Sequence, residues 1–259
     1  MKHIAGATHL PEVTILTPTH RPAFLARCAA YVARQTYPKD RLQWVIVDTG
    51  EALSLDTVSP FPVSPDGVKM CLLQGHGPLG LLRNVGAQHA SGDLIVHFDD
   101  DDWHAPDRIE RQVVPFLVRP SLDLVATDDY YVGLFDERPV RAMKSPSWGH
   151  ETYSSGGTFM YRKRAWRQNP FANVSAGEDY IFANGFRKKN AQSVVGMRDP
   201  DLLVVVQHGG NVTALAPEVR QTATVDQAVW LRSLMGEADY QATETLVKTV
   251  RKKAFEHES

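Results

Sequence analysis

The sequence has little of what marks several protein classes. Its 259 residues include two cysteines, Cys28 and Cys71, which excludes a disulfide scaffold and gives no metal-ligand spacing. The 28 Lys and Arg residues against 30 Asp and Glu give a formal net charge of -2, so no basic field indicates nucleic acid. The apolar runs are too short for a membrane span, and the N-terminus lacks an apolar stretch behind its positive charge. We expect a cytoplasmic protein without nucleic-acid partners, for which peripheral attachment to a membrane stays open.

The first half of the chain alternates strand patterns with helix patterns. Apolar runs predict strands, and apolar residues at helical spacing follow Pro22 and Pro78, with Gly92 placed to end the second helix. The predicted strands are 12–17, 43–47, 68–73, 93–98 and, later in the chain, 202–206. Apolar strands that alternate with helices predict a mostly parallel sheet covered on both faces. The pattern loosens from 128 to 155, which predicts a long loop at a site.

Polar residues follow several of these strands directly. The first strand runs into TPTHR (17–21), the second into Asp48, the fourth into Asp99–Asp102 and the last into Gln207 and His208. Ligands of open α/β sheets bind outside the carboxyl ends of the strands, so these residues predict a single site at one edge.

Four consecutive aspartates repel one another unless a cation compensates them. Carboxylate oxygens suit Mg²⁺ or Mn²⁺, which commonly bridge one or two carboxylates and a diphosphate. A solvated acidic turn before the next helix is the alternative interpretation.

Five motifs together resemble those of one enzyme family. They occur in that family's order and are VTILTPTHRP (13–22), VIVDTG (45–50), LGLLRNVGAQHASGDLIVHFDDDDWHAPDRI (79–109), GEDYIF (177–182) and QHGGN (207–211). Over roughly residues 12 to 213 the chain is similar to the inverting GT-A nucleotide-sugar glycosyltransferases of glycosyltransferase family 2. The resemblance implies a Rossmann-like GT-A domain over 1–213, with a nucleotide-binding half to about 105 and an acceptor half from about 106. Two helical patterns with charged faces predict a helical extension over 214–259.

The resemblance also implies roles for individual residues. The donor side would comprise Thr17, Thr19, Arg21, Asp48, Arg83 and Asp100. Mn²⁺ or Mg²⁺ would be held mainly by Asp101, with Asp99, Asp102 and His208, although a histidine at a strand end also caps loops. Asp179 would be the general base, with Glu178 as its competitor. Two acids also suit a helix N-terminus.

The acceptor side is expected at Trp148, His150 and Tyr153, whose aromatic faces suit sugar rings but equally suit loop packing. The implied reaction is metal-dependent transfer of a sugar, with inversion, from a nucleotide diphosphate to a hydroxyl on a glycan or lipid-linked saccharide. Bacterial surface polysaccharide synthesis is the setting that the resemblance suggests. A UDP-sugar is the default donor. Guanosine and thymidine diphosphate sugars stay open, because relatives commonly carry a second acid where this chain has Thr49.

Two other functions stay open on the sequence. One is a catalytically silent nucleotide-sugar or carbohydrate-binding protein of the same fold. The other is a sugar-phosphate nucleotidyltransferase, which ranks lower because the segment 17–22 lacks the glycine-rich signature after the first strand.

Overall fold

The computed structural model describes residues 2–6, 9–50, 67–144, 155–211 and 215–258. The strands in these ranges are β1 (Val13–Thr19), β2 (Leu42–Asp48), β3 (Lys69–Gln74), β4 (Leu94–His97), β5 (Trp103–His104), β6 (Leu124–Thr127), β7 (Tyr131–Leu134), β8 (Arg141–Lys144), β9 (Met160–Arg162), β10 (Val194–Met197) and β11 (Leu203–Gln207). The helices are α1 (Pro22–Ala33), α2 (Leu79–His89), α3 (Arg108–Val118), α4 (Lys163–Gln168), α5 (Glu178–Lys189), α6 (Pro217–Gln221), α7 (Val225–Met235) and α8 (Glu237–Glu258).

The described strands form a large sheet in the order β10-β6-β9-β4-β1-β2-β3. β9 runs antiparallel to β4 and β6, whereas the other pairs of neighbours are parallel. Every residue of β4 and β6 is buried, as expected for strands that are covered on both faces. The predicted mostly parallel α/β sheet is confirmed.

Side chains of β1 alternate between two layers of helices, as the pleat of a strand requires. Val13 and Ile15 pack against residues of α1 and α3, and Leu16 packs on the other face with residues of α2 and α5. This sandwich of helices fixes the carboxyl ends of β1, β2 and β4 beside one another.

A second sheet has the order β5-β11-β7-β8. Its hairpin β7–β8 lies where the sequence predicted a long loop, so that prediction is wrong for 131–144. Each strand has four residues, which are too few to show a clear alternation, and the connection between the strands contains Pro139. Residues of α7 and α8 share a hydrophobic cluster with β11 and α1, so the C-terminal helices belong to a common core.

Gly92 does not end α2, which stops at His89. A Cβ at Gly92 would lie 2.7 Å from the Glu12 carbonyl oxygen and 2.8 Å from the Thr14 nitrogen. The glycine is therefore required by the close approach of β1 and not by a helix cap.

Within the described residues, no helix is both long and apolar enough to cross a membrane. Cys28 and Cys71 are free thiols, and Cys28 is buried in α1.

Candidate active site

The carboxyl ends of three neighbouring parallel strands form the floor of the site. Thr19 at the end of β1 is in register with Asp48 at the end of β2. The aspartates 99–102 follow β4, which pairs with the other edge of β1. His208 follows β11 of the second sheet and reaches the same place. The fold thus assembles residues that are far apart in sequence.

Arg21 lies at the centre of this assembly. Its Nη2 is 2.5 Å from Asp100 Oδ1 and 2.9 Å from Asp101 Oδ2. Its Nη1 is 3.1 Å from His208 Nε2. The Thr19 hydroxyl donates to the second oxygen of Asp100 at 2.6 Å. One guanidinium therefore contacts both the aspartate run and the residue after β11, and Asp100 in turn links it to Thr19 of β1.

His208 is held on all sides. Its Nε2 is 3.0 Å from Asp101 Oδ2, and its ring packs against Phe24 with the centroids 4.8 Å apart. Its backbone N–H donates to Asn211 Oδ1 at 2.9 Å, and the Asn211 amide donates to Asp101 Oδ2 at 3.3 Å. The Gly210 N–H donates to Nδ1 at 3.3 Å.

The aspartates experience different environments. Burial raises the pKa of Asp100 to about 6, and the charge of Asp101 adds to this effect. Burial would also raise the pKa of Asp101, but Arg21 and the hydrogen bond from His208 outweigh it and lower that pKa. Burial and the charges of Asp101 and Asp99 raise the pKa of Asp102 well above its usual range. Asp101 is thus the member of the run held most firmly in its charged form.

Asp101 and His208 are the predicted metal ligands that the structure brings together. Asp102 instead accepts from the Val206 N–H at 3.1 Å, and Asp99 faces Arg83. The described residues contain no group of three or more His, Cys, Asp or Glu side chains arranged to hold a metal ion. An ionised carboxylate beside an imidazole nonetheless suits a divalent cation whose other ligands come from a diphosphate and water.

Arg83 has a different set of partners from Arg21. Its Nη1 is 2.5 Å from Glu178 Oε1, and its Nη2 is 3.6 Å from Asp99 Oδ1. The side chain is 3% exposed and lies over the ring of Phe171. Its guanidinium pairs with Glu178 and Asp99, and its predicted contact with the donor stays a prediction.

Asp179 lies in the first turn of α5, beside Glu178. Its two carboxylate oxygens accept the N–H groups of Gly156 at 2.8 Å and Tyr180 at 2.7 Å, which fixes their orientation. A Cβ on Gly156 would lie 2.5 Å from Arg83 Nη1 and 2.9 Å from Asp179 Cβ. Glycine at this position lets the backbone reach the carboxylate.

The segment Gly156–Thr158 is anchored from below by three buried side chains. The carbonyl oxygens of residues 156, 157 and 158 each lie within hydrogen-bonding distance of one of them: His97 Nδ1 at 2.8 Å, Arg108 Nη2 at 2.7 Å and Gln112 Nε2 at 2.7 Å. Burial lowers the pKa of Arg108 to about 10 although Asp102 and Asp99 favour its charge. These contacts fix the segment whose Gly156 N–H donates to Asp179.

Other predicted residues have structural partners or lie outside the described ranges. The Thr17 hydroxyl accepts from the Trp44 indole at 3.0 Å and is fully buried, so it does not line the rim. Asp48 Oδ1 accepts from the Gly50 N–H at 2.9 Å. Trp148, His150 and Tyr153 lie outside the described residues.

Sequence reasoning missed three contributors. Arg108 belongs to the motif 79–109, and Asn211 ends the motif QHGGN, but neither residue was assigned a role. Gly157 has a steric role: a Cβ there would lie 2.8 Å from Asp99 Oδ2. Only the packing reveals these functions.

Known proteins share this architecture. A structure of S. aureus TarS, residues 1–349, in complex with UDP has a TM-score of 0.56 and 17% identity, covering 76% of this chain and 60% of that one. The mannosyltransferase PcManGT from Pyrobaculum calidifontis, in complex with GDP-Man and Mn²⁺, has a TM-score of 0.57 and 18% identity, covering 77% of this chain and 57% of that one. At these identities the likeness shows the fold, and both neighbours are GT-A glycosyltransferases.

Sequence comparison gives the family. EpsH of Bacillus subtilis is 27% identical over 104 residues, which are 40% of this chain and 30% of EpsH, so the chain spans about a third of that relative's length. The family model described as glycosyl transferase family 2 matches residues 14–177, a range that holds Arg21, the aspartate run and Gly177. On that match, the chain belongs to glycosyl transferase family 2.

Proposed function

We propose that the protein transfers a sugar from a nucleotide diphosphate to a hydroxyl acceptor with inversion at the anomeric carbon. The observation that carries this proposal is that two polar groups stand on different elements of the fold. Arg21, Asp100, Asp101 and His208 form one group at the strand ends, and Asp179 stands apart from it on α5. Inverting transfer needs these two parts, one for the departing diphosphate and one for the acceptor proton.

The donor binds along the strand ends in this proposal. Asp48 and Asp100 accept hydrogen bonds from the base and ribose, with Thr19 orienting Asp100. Arg21 provides a guanidinium for the phosphates, which suit its forked donors. A UDP-sugar is the default, and the ligands of the neighbours, UDP and GDP-Man, support a nucleoside diphosphate as the class.

Asp179 acts as the general base in this proposal. It takes the proton of the acceptor hydroxyl as the oxygen attacks from the face opposite the diphosphate. The alternative base, Glu178, is 5% exposed, and its carboxylate is paired with Arg83. Burial outweighs this pairing and raises the pKa of Glu178. The backbone N–H groups of Gly156 and Tyr180 orient the carboxylate of Asp179, so this base is already positioned before the acceptor binds.

Asp101 and His208 are the residues that would hold Mn²⁺ or Mg²⁺. The bound cation would neutralise charge that develops on the leaving diphosphate. The complex of PcManGT with Mn²⁺ supports a divalent ion in this fold. The acceptor, a glycan or lipid-linked saccharide in this proposal, enters from the side of Asp179.

Slow donor hydrolysis tests the proposal without knowledge of the acceptor. The protein is incubated with a panel of nucleotide sugars and Mn²⁺ or Mg²⁺, and release of nucleoside diphosphate is followed. We expect one donor to be hydrolysed, Asp101→Asn to lose this activity, and the matched surface variant Asp107→Asn to keep it. A silent binding protein would retain affinity without release, and a nucleotidyltransferase would instead form the nucleotide sugar from a nucleoside triphosphate. Hydrolysis that continues unchanged in EDTA would remove the metal from the proposal.

A further inference from the structure

The guanidinium of Arg21 contacts the same two atoms that a metal ion would use. Arg21 Nη2 lies 2.9 Å from Asp101 Oδ2, and Nη1 lies 3.1 Å from His208 Nε2. These two ligand atoms are themselves 3.0 Å apart. A cation bound to both atoms would have to occupy the space that the Arg21 guanidinium now fills.

The side chain of Arg21 can leave the site toward solvent. It is 20% exposed, whereas its partners Asp100 and Asp101 are 1% and 11% exposed, so its route out of the site leads to solvent. Its Nε is buried without a hydrogen-bond partner, but so is the Nε of Arg83, so it is the exposure that distinguishes Arg21. The backbone stays fixed meanwhile, because the Arg21 carbonyl accepts the N–H groups of Phe24 and Leu25 in the first turn of α1.

We infer that Arg21 is a resident counter-cation that holds the Asp101–His208 pair in the unloaded protein and yields it to a divalent metal when the donor arrives. The inference rests on the proposed donor site. The diphosphate gives the displaced guanidinium a new anionic partner, and the metal takes over the carboxylate and the imidazole. Metal and nucleotide therefore bind with positive coupling, and each raises the affinity for the other by the same factor.

The sign of the effect distinguishes this role from simple phosphate binding. A residue that only binds phosphate leaves the affinity for metal alone unchanged when it is removed. A competitor for the metal ligands raises that affinity when it is removed. Charge-assisted hydrogen bonds of this kind correspond to about a 10-fold to 100-fold change in binding.

Mn²⁺ binding, measured by the loss of the free-ion EPR signal, tests the inference with and without UDP. We expect wild-type protein to bind Mn²⁺ weakly alone and at least 10-fold more tightly with UDP. Arg21→Met should bind Mn²⁺ alone about 10-fold more tightly than wild type and show a smaller effect of UDP. Arg27→Met is the control. It removes a charge from α1, which Arg21 precedes, and the Arg27 guanidinium contacts Tyr31 and Asp239. Its Mn²⁺ affinity should match that of wild type.

Each result has a defined meaning. Equal Mn²⁺ affinity of Arg21→Met and wild type, in folded proteins by circular dichroism, would overturn the inference, as would equal gains in Arg21→Met and Arg27→Met. Wild-type protein that binds no Mn²⁺ in either condition would overturn it as well. The Mn²⁺-alone measurement needs no nucleotide and no turnover, so it is decided separately from the hydrolysis assay that tests the proposed function.

Discussion

Two arginines of the candidate site have different surroundings. Arg83 is 3% exposed, pairs with Glu178 and Asp99, and lies over Phe171. Arg21 is 20% exposed and pairs with Asp100, Asp101 and His208. Both neutralise buried carboxylates, since Glu178 is 5% and Asp100 is 1% exposed, but only the guanidinium of Arg21 itself reaches solvent.

The difference separates a fixed half of the site from an exchangeable half. Around Arg83, the proposed base Asp179 is oriented by Gly156, whose turn is held by His97, Arg108 and Gln112. Around Arg21, the contacts are between charged groups that a metal and a diphosphate can replace. A base must be positioned before the acceptor binds, whereas a donor site must accept and release its ligand.

The largest effect is expected at the base. Asp179→Asn keeps the shape of the side chain but cannot accept the proton, so turnover with acceptor should fall by about 100-fold to 10,000-fold. Donor affinity should stay near that of wild type, because the donor contacts lie on other elements. Glu178→Gln, which keeps an oxygen for Arg83, should retain most activity. Steady-state kinetics would show the reverse pattern if Glu178 were the base.

The two arginines should differ in their effect on stability. Arg83→Met leaves Glu178 buried without its partner and should lower the free energy of unfolding by about 3 to 5 kcal/mol. Arg21→Met should cost less, on the order of 1 to 2 kcal/mol, because solvent reaches the gap and Thr19 still donates to Asp100. Urea unfolding measures both values. Mn²⁺ should restore stability to Arg21→Met and leave the deficit of Arg83→Met unchanged; equal rescue of both would contradict the division into two halves.

The smallest expected effect concerns the pH dependence of the fixed half. Burial lowers the pKa of His97 well below 6.5, so the folded protein keeps this ring neutral while the unfolded chain protonates it. Its contribution to stability is therefore present above pH 6.5 and is lost as the pH falls below that value. At pH 5.5 the loss is about 1.4 kcal/mol. His97→Gln does not titrate, so the difference in unfolding free energy between it and wild type should change by this amount between pH 7.5 and 5.5. A constant difference would show that His97 is protonated in the folded state.

Much of the architecture was predictable because it depends on local patterns. Apolar runs and helical spacing place the strands of the first half within one or two residues, as the predicted 43–47 and the observed Leu42–Asp48 show. The hairpin 131–144 was not predictable in this way, because its short strands lack a clear alternation and are defined by pairing with each other and with β11.

The sequence by itself determined the fold class, the family and the types of chemical group that the site can use, since composition, periodicity and motif order are local properties of the chain. The tertiary structure decided which of those groups meet. Arg21 and His208 are 187 positions apart and Arg108 and Gly157 are 49 apart, yet each pair is in contact. Such contacts depend on strand order and on how helices pack over the sheet, which no local pattern encodes. For this reason only the structure shows that Arg83 is enclosed and that Arg21 reaches solvent.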